Sequence, residues 1–353
     1  MNDFLKIENL SVTYPARGGA RKAAPGAAKP GIKAWLARQG RGTVHAVNGV
    51  SLAVARGEIV GLVGESGCGK STLGRAILGL TPASGGSVRF DNGDVLSLRD
   101  KDMLAYRRRA QMVFQDPFAS LNPRLTVFET LAEVLTVHRI CARSAVPAQV
   151  RALLEQVGLP ATFAHRKARS LSGGQCQRVG IARALAVGAE LIIADEPISA
   201  LDVSIQAQIL NLFSRLQRER NLTIIFVSHD LGVVRYLCRR VAVMYLGRIV
   251  EEGPAEDVFA APLHPYTRSL AAAIPQMAPD AQLASQPLAG EPPSPLHLPD
   301  GCAFHPRCPQ VMPQCRTGAA PAPRQHGTRQ VWCHLYPAID GSPPDDLTNT
   351  EVT

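Results

Sequence analysis

The segment from Gly57 to Gly79 constrains this chain more than any other. Ile59, Val60, Leu62 and Val63 form a short apolar run around Gly61, the pattern of a buried strand. Gly64-Glu65-Ser66-Gly67-Cys68-Gly69-Lys70-Ser71 follows and satisfies G-x-x-x-x-G-K-[ST] at every position. Leu73, Ile77 and Leu78 then recur on one face of a helix. In a strand–loop–helix of this kind the glycines let successive backbone N–H groups turn inward around an anion. The helix N-terminus adds a positive dipole end. The loop is therefore expected to hold a nucleoside triphosphate. Lys70 would reach the β- and γ-phosphates, the Ser71 hydroxyl would hold Mg²⁺, and Thr72 would add a phosphate hydrogen bond.

The chain has 353 residues, room for one large domain and a smaller appendage. With 46% hydrophobic and 19% charged residues it has the balance of a core-forming protein. Its net charge of +9 suits nucleic acid, an anionic membrane or an anionic ligand and does not choose among them. No apolar run approaches the roughly 20 residues that span a bilayer. Asp3 and Glu8 interrupt the start, where a secretory signal would be apolar, so a cytoplasmic location is expected. The eight cysteines would then be thiols or metal ligands.

Along the chain, Leu5 to Val12 reads as a first strand, and residues 17–43 as a basic insertion without a single acid. Ile32, Trp35 and Leu36 in that insertion lie at i, i+3, i+4. Both a solvated loop and a short basic amphipathic helix on a membrane surface are open readings. Gln115 follows the apolar stretch Met112–Phe114, at a strand's carboxyl end, where open parallel sheets bind ligands. The strand Leu191–Ala194 closes in Asp195-Glu196. The first carboxylate would orient Mg²⁺, and the second would accept a proton from the attacking water. The chain turns beyond the strand end, so both can face the nucleotide. His229 at the next strand tip is a candidate contact for the γ-phosphate. Consecutive Ser228-His229-Asp230 cannot stack as a catalytic relay. Asp202 would cap the helix Val203–Arg218.

Leu171-Ser172-Gly173-Gly174-Gln175 opens another helix. Two glycines and a free serine hydroxyl at a helix N-terminus make a second anion cradle. One nucleotide has no use for two, so the second is expected to serve a nucleotide held by another subunit in a head-to-tail dimer.

GESGCGKST, Gln115, LSGGQCQR, LIIADEP, SALD and SHD, in this order, resemble the ATP-binding cassette of ABC transporters. DPFASLNPR, VAVMYLGRIVE, LHPYTRSLAAAIP and GEPPSPL with CAFHPRCP narrow the resemblance to the oligopeptide/dipeptide importer ATPases. LSGGQCQR and SALDVSIQAQ are nearest the F-type subunit. The resemblance covers roughly Phe4–Ala16 and Val44–Pro337. It implies an α/β fold, a P-loop NTPase of ABC type with a RecA-like core, an antiparallel β subdomain and a helical signature subdomain, plus a small cysteine-containing module. The expected divisions are 1–260 for the cassette, 261–340 for the module, where proline becomes frequent, and 341–353 for a disordered tail. The resemblance gives Tyr14 as the adenine-stacking aromatic, Gln115 as a Mg²⁺-touching lid residue, Glu196 as the base and His229 as the switch histidine. Ser172, Gly173, Gly174, Gln175 and Asp202 would act across the dimer on the partner's ATP.

The implied function is ATP hydrolysis powering peptide import at the cytoplasmic face of the inner membrane. The partners would be a D-type ATPase, two permease subunits and, indirectly, an extracytoplasmic binding protein. A nucleic-acid-directed ATPase and an importer of nickel or glutathione are the alternatives, and no nucleic acid is expected. Cys302, Cys308, Cys315 and Cys333 fall within one short stretch without a C-x₂-C knuckle. A [4Fe–4S] cluster, which some relatives carry at such a motif, a zinc ion and reduced structural thiols are all open. Cys68, Cys141, Cys176 and Cys238 read as space-fillers, and alkylating Cys68 would block the phosphate loop.

Overall fold

The computed structural model describes residues 3–16, 42–273 and 290–336. The amphipathic turn expected at Ile32–Leu36 and the tail 341–353 lie outside the described residues. Strands β1 (Leu5–Pro15), β2 (Thr43–Val54), β3 (Ile59–Val63), β4 (Gly85–Phe90), β5 (Gly93–Asp94) and β6 (Ala110–Val113) come first. They are followed by β7 (Leu191–Asp195), β8 (Thr223–Ser228), β9 (Arg240–Tyr245), β10 (Arg248–Pro254), β11 (Arg324–His326) and β12 (Arg329–Val331). An antiparallel sheet runs β2-β1-β4-β5, and the main sheet runs β11-β12-β10-β9-β3-β8-β7-β6.

The centre of the main sheet is parallel, from β9 through β3, β8 and β7 to β6. Both faces of such strands must be covered, so they read as unbroken apolar runs. Alternation divides their side chains between two cores. Ile59, Val63, Ala194, Ile224 and Phe226 pack on one face, with the helices α3 (Val127–Val137), α4 (Val146–Gln156) and α5 (Gly173–Ala186) of a helical subdomain. Val60, Leu62, Ile193, Ile225 and Val227 pack on the other, with α1 (Lys70–Ile77) and the antiparallel sheet. The helix α2 (Asp100–Arg109) was not legible in the sequence, because only Tyr106 of it is buried. Its final turn, Arg107–Arg109, complements the negative end of the helix dipole.

The expected break near residue 260 is not a break in the sheet. Strand β12 pairs antiparallel with β10, Val331 opposite Glu251. Glu251 is fully buried and accepts backbone N–H groups from Leu263 (3.0 Å) and His264 (2.9 Å), with Arg329 at 3.7 Å. Phe304 is also buried in the main core, its ring centroid 5.2 Å from Tyr245 and 5.5 Å from Tyr266. The carboxyl-terminal segment is thus continuous with the cassette in both backbone pairing and apolar packing.

Two outcomes follow for stability. Phe304→Ala should cost about 3–5 kcal/mol, the range for deleting a buried aromatic ring. The loss should displace one cooperative denaturant transition, since the segment shares the cassette's core; a separate early transition confined to residues 290–336 would contradict this. His264 is buried and its Nδ1 accepts the Tyr266 N–H at 3.0 Å. Burial, with Arg268 nearby, pushes its pKa down to about 3. Below its ordinary value the unfolded chain takes up a proton that the folded chain refuses. Stability should therefore fall as pH drops from about 6.5 towards 3, by up to ~1.4 kcal/mol per pH unit from this group. His264→Asn should flatten that part of the urea-denaturation pH profile.

Candidate nucleotide site

Parallel strands place their carboxyl ends at one edge, and the register levels them. Val63 pairs with Ser228, and Val227 pairs with Asp195. The phosphate loop leaves β3, Asp195 ends β7, Ser228 ends β8, and Gln115 lies two residues past β6. One edge of the sheet therefore gathers the side chains that the sequence scatters over more than 160 positions.

Gly64 and Gly69 are fixed by space. A Cβ on either would come within 2.1 Å of a backbone oxygen, that of Met244 or of Ala46. Lys70 is buried and donates to the carbonyls of Gly64 (2.7 Å) and Glu65 (2.9 Å). Its ammonium is thus held over the loop in which a triphosphate would lie. Ser66 and Gly67 are exposed, and Ser71 and Thr72 half-buried. The Ser71 hydroxyl donates to Asp195 Oδ1 at 2.7 Å. Burial pushes the Asp195 carboxyl above its usual range, against the Ser71 hydrogen bond. A hydroxyl and a carboxylate, both oxygen donors, suit a hard divalent cation such as Mg²⁺, whose charge would offset that desolvation.

Glu196 sits in the left-handed region with φ of 45°, an uncommon conformation for glutamate and one found where function holds it. This turn carries its carboxylate back over the sheet edge. Gln115 Nε2 donates to Glu196 Oε2 at 3.0 Å, and His229 Nδ1 lies 3.3 Å from Oε1. The residues expected as lid, base and switch thus meet at one carboxylate. Gln115 spends its amide nitrogen on Glu196, which leaves its carbonyl as the oxygen available to a cation. Tyr14, at the end of β1 opposite Val44, is 37% exposed, an open ring face for stacking.

Two expectations need correction. The Ser172 hydroxyl is not free: it accepts the Gln175 N–H at 3.4 Å, while Gln175 Oε1 accepts the Ser172 N–H at 3.0 Å, a reciprocal capping box. Its own proton and its second lone pair remain for a ligand. Asp202 stands at the N-cap of α6 (Val203–Arg220) but its side chain makes no capping hydrogen bond and is exposed. The signature glycines also have a packing reason. A Cβ on Gly174 would lie 2.3 Å from Ile205 of α6, and one on Gly173 3.1 Å from Leu201.

Sequence reasoning missed the clamp on Glu65. Arg307 donates two hydrogen bonds to its carboxylate, at 2.8 and 3.0 Å, and the Glu65 N–H donates to the buried Tyr266 hydroxyl at 2.8 Å. A sequence separation of 242 residues leaves no local signal for the first contact. Of the four module cysteines, Cys302, Cys315 and Cys333 are buried and Cys308 is half-buried. Among the described residues, however, no three His, Cys, Asp or Glu side chains are disposed around one metal ion. The expected metal set is therefore not formed by the geometry.

This arrangement defines a P-loop ATPase. Residues 47–199 match the ABC transporter family and residues 250–315 the oligopeptide/dipeptide transporter C-terminal region. The chain is 46% identical over 332 residues to a probable peptide ABC transporter ATP-binding protein, y4tS, of Sinorhizobium fredii, covering 94% of this chain and 90% of that one. It is 50% identical over 315 residues to the oligopeptide transport ATP-binding protein OppF of Escherichia coli, covering 88% and 90%. Among solved structures it resembles the dimeric ATP-binding cassette MJ0796 bound to ADP and Pi, with TM-score 0.58 and 30% identity over 71% of this chain and 98% of that one. The chain belongs to the ATP-binding proteins of the ABC transporter family, in the group that carries the oligopeptide/dipeptide transporter C-terminal region.

Cys68 is 6% exposed, and desolvation pushes its thiol up despite Lys70 beside it. The thiolate is the reactive form. A small alkylating agent should therefore label the half-exposed Cys141 well before Cys68, as peptide mass spectrometry would read.

Proposed function

We propose that this chain is the ATP-hydrolysing subunit of a peptide importer, and that Glu196 is its general base. The observation that carries the reading is the Glu196 carboxylate held by Gln115 and His229 across the sheet edge from Lys70. Lys70 and the loop N–H groups bind the triphosphate. Ser71 and Asp195, with the Gln115 carbonyl, would hold Mg²⁺, which supplies charge neutralisation at the phosphates. Glu196 takes a proton from the attacking water, and His229 positions that carboxylate and contacts the γ-phosphate. Tyr14 stacks on the adenine.

Ser172, Gly173, Gly174, Gln175 and Asp202 act on ATP bound by a second ATPase, for which we propose a D-type homologue in a heterodimer. The exposure of Ser172 and Asp202 supports this, as does the dimeric form in which the similar cassette was solved. Permease subunits dock at the cleft lined by Phe114, Gln115, Asp116 and Ala119, beside Phe118, which is 54% exposed. Its far wall is Asp195, so a partner there reaches the nucleotide site. No helix among the described residues is long and apolar enough to cross a membrane. We place the chain peripherally on the cytoplasmic face of the inner membrane, held by its partners, with an extracytoplasmic binding protein delivering cargo. Residues 1–260 act as the cassette and 261–340 as a module docked on it. Peptide cargo is supported by the names of the relatives.

Glu196→Gln should keep ATP binding and slow turnover roughly 10²–10⁴-fold, the scale of lost general-base help. Retained turnover would reject Glu196 as the base. Capture of the native protein from detergent-solubilised membranes should bring down two permeases and a second ATPase. Recovery of nucleic acid instead would reject the transport assignment.

We also propose Cys302, Cys308, Cys315 and Cys333 as reduced structural thiols, since no three of them are grouped about one metal ion among the described residues. Anaerobically purified protein should then be free of iron and zinc and show no broad absorption band near ~400 nm. Iron together with that band would overturn this and restore the cluster.

A further inference from the structure

Glu65 occupies the first unrestricted position of the phosphate loop. It puts a carboxylate within a segment whose other features (inward N–H groups, a helix N-terminus, Lys70) all favour negative charge from a ligand. An anionic side chain there would repel the triphosphate unless its charge were cancelled. The cancelling group comes from the far end of the chain. Arg307 grips Glu65 in a two-pronged pair at 2.8 and 3.0 Å, and its side chain is only 5% exposed against 26% for Glu65. Such paired, planar contacts are the strong, geometrically specific form of a guanidinium–carboxylate interaction.

The grip is itself anchored. Arg307 ends the turn His305–Arg307, next to Phe304 in the core and to Cys308. Its guanidinium lies over the Tyr245 ring, 5.9 Å from the centroid. Tyr266, packed 4.7 Å from Tyr245, accepts the Glu65 backbone N–H. Side chain and backbone of Glu65 are therefore both fixed by residues beyond position 260.

We propose that Arg307 is the counter-charge that makes the phosphate loop fit to receive a triphosphate. The carboxyl-terminal segment is then a positioning part of the ATP site and more than an attachment. Arg307 acts through Glu65 and need not touch nucleotide. Any change that shifts the turn Cys302–Cys308 would reach the loop by this pair. The inference rests on the ATP-site reading above.

The test is titration calorimetry of Mg²⁺·ATP and Mg²⁺·ADP binding to the full-length protein carrying Glu196→Gln, so that nucleotide is not consumed. Adding Arg307→Gln should weaken ATP binding about fivefold, the order of one unit charge pair at short range screened by water, and ADP binding by less. The loss should shrink as salt is raised. Arg307→Lys, which keeps the charge, should retain most of the affinity. Adding Glu65→Gln to Arg307→Gln should restore it, because the uncompensated carboxylate is gone.

Restoration separates a charge role from mere packing, which a second substitution would not repair. Unchanged affinity in Arg307→Gln overturns the proposal. So does equal weakness of Arg307→Gln and the double variant in protein whose melting temperature matches the parent. If the parent itself binds no ATP, the ATP-site reading falls, and this inference with it.

Discussion

The structure depends on the register of three neighbouring parallel strands. Hydrogen bonding between β3, β8 and β7 sets Val63 beside Ser228 and Val227 beside Asp195, so the three carboxyl ends finish at one level. A slip by one residue would turn every side chain to the opposite face and move the apolar sets out of their two cores. The same pairing that buries Ile193, Ile225 and Leu62 therefore lines up the phosphate loop, the Asp195 carboxylate and His229. Core packing and site geometry are here one constraint.

Charge at that edge is managed by pairing. Asp195 is desolvated and shares its oxygen with Ser71. Glu196 is bracketed by Gln115 and His229, and Glu65 by Arg307 and Tyr266. Further back, Arg240 bonds Glu58 at 2.8 Å and also Glu252 and the Ala53 carbonyl, tying both sheets to the turn that feeds β3. Buried carboxylates without such partners would take up protons and lose the charge that cation binding and proton abstraction require.

The lid segment is joined to the signature helix as well as to the site. Arg183 of α5 donates to the Ser120 carbonyl at 2.6 Å, and Gln177 to that of Phe114 at 3.4 Å. Asp116 caps its own loop by accepting the N–H groups of Phe118 and Ala119. A force on Phe118 thus has two short routes, one to Glu196 through Gln115 and one to Ser172 along α5. Rigid elements with discrete contacts are what a nucleotide-driven change of population needs.

What the sequence alone determined was local in origin. A loop of glycines before Lys70 and Ser71, an apolar run ending in Asp195-Glu196 and a Ser-Gly-Gly-Gln helix start carry their chemistry within a few residues. Adjacent side chains suffice to specify an anion nest or a strand tip. Tertiary structure decided what depends on distant partners. It tied the Ser172 hydroxyl into its own cap, and set Glu196 in a left-handed turn beneath Gln115 and His229. It ran the β11–β12 hairpin into the main sheet and brought Arg307 to Glu65. No spacing rule encodes those contacts, because they arise only when a sheet edge and a buried aromatic cluster bring remote segments within hydrogen-bond reach.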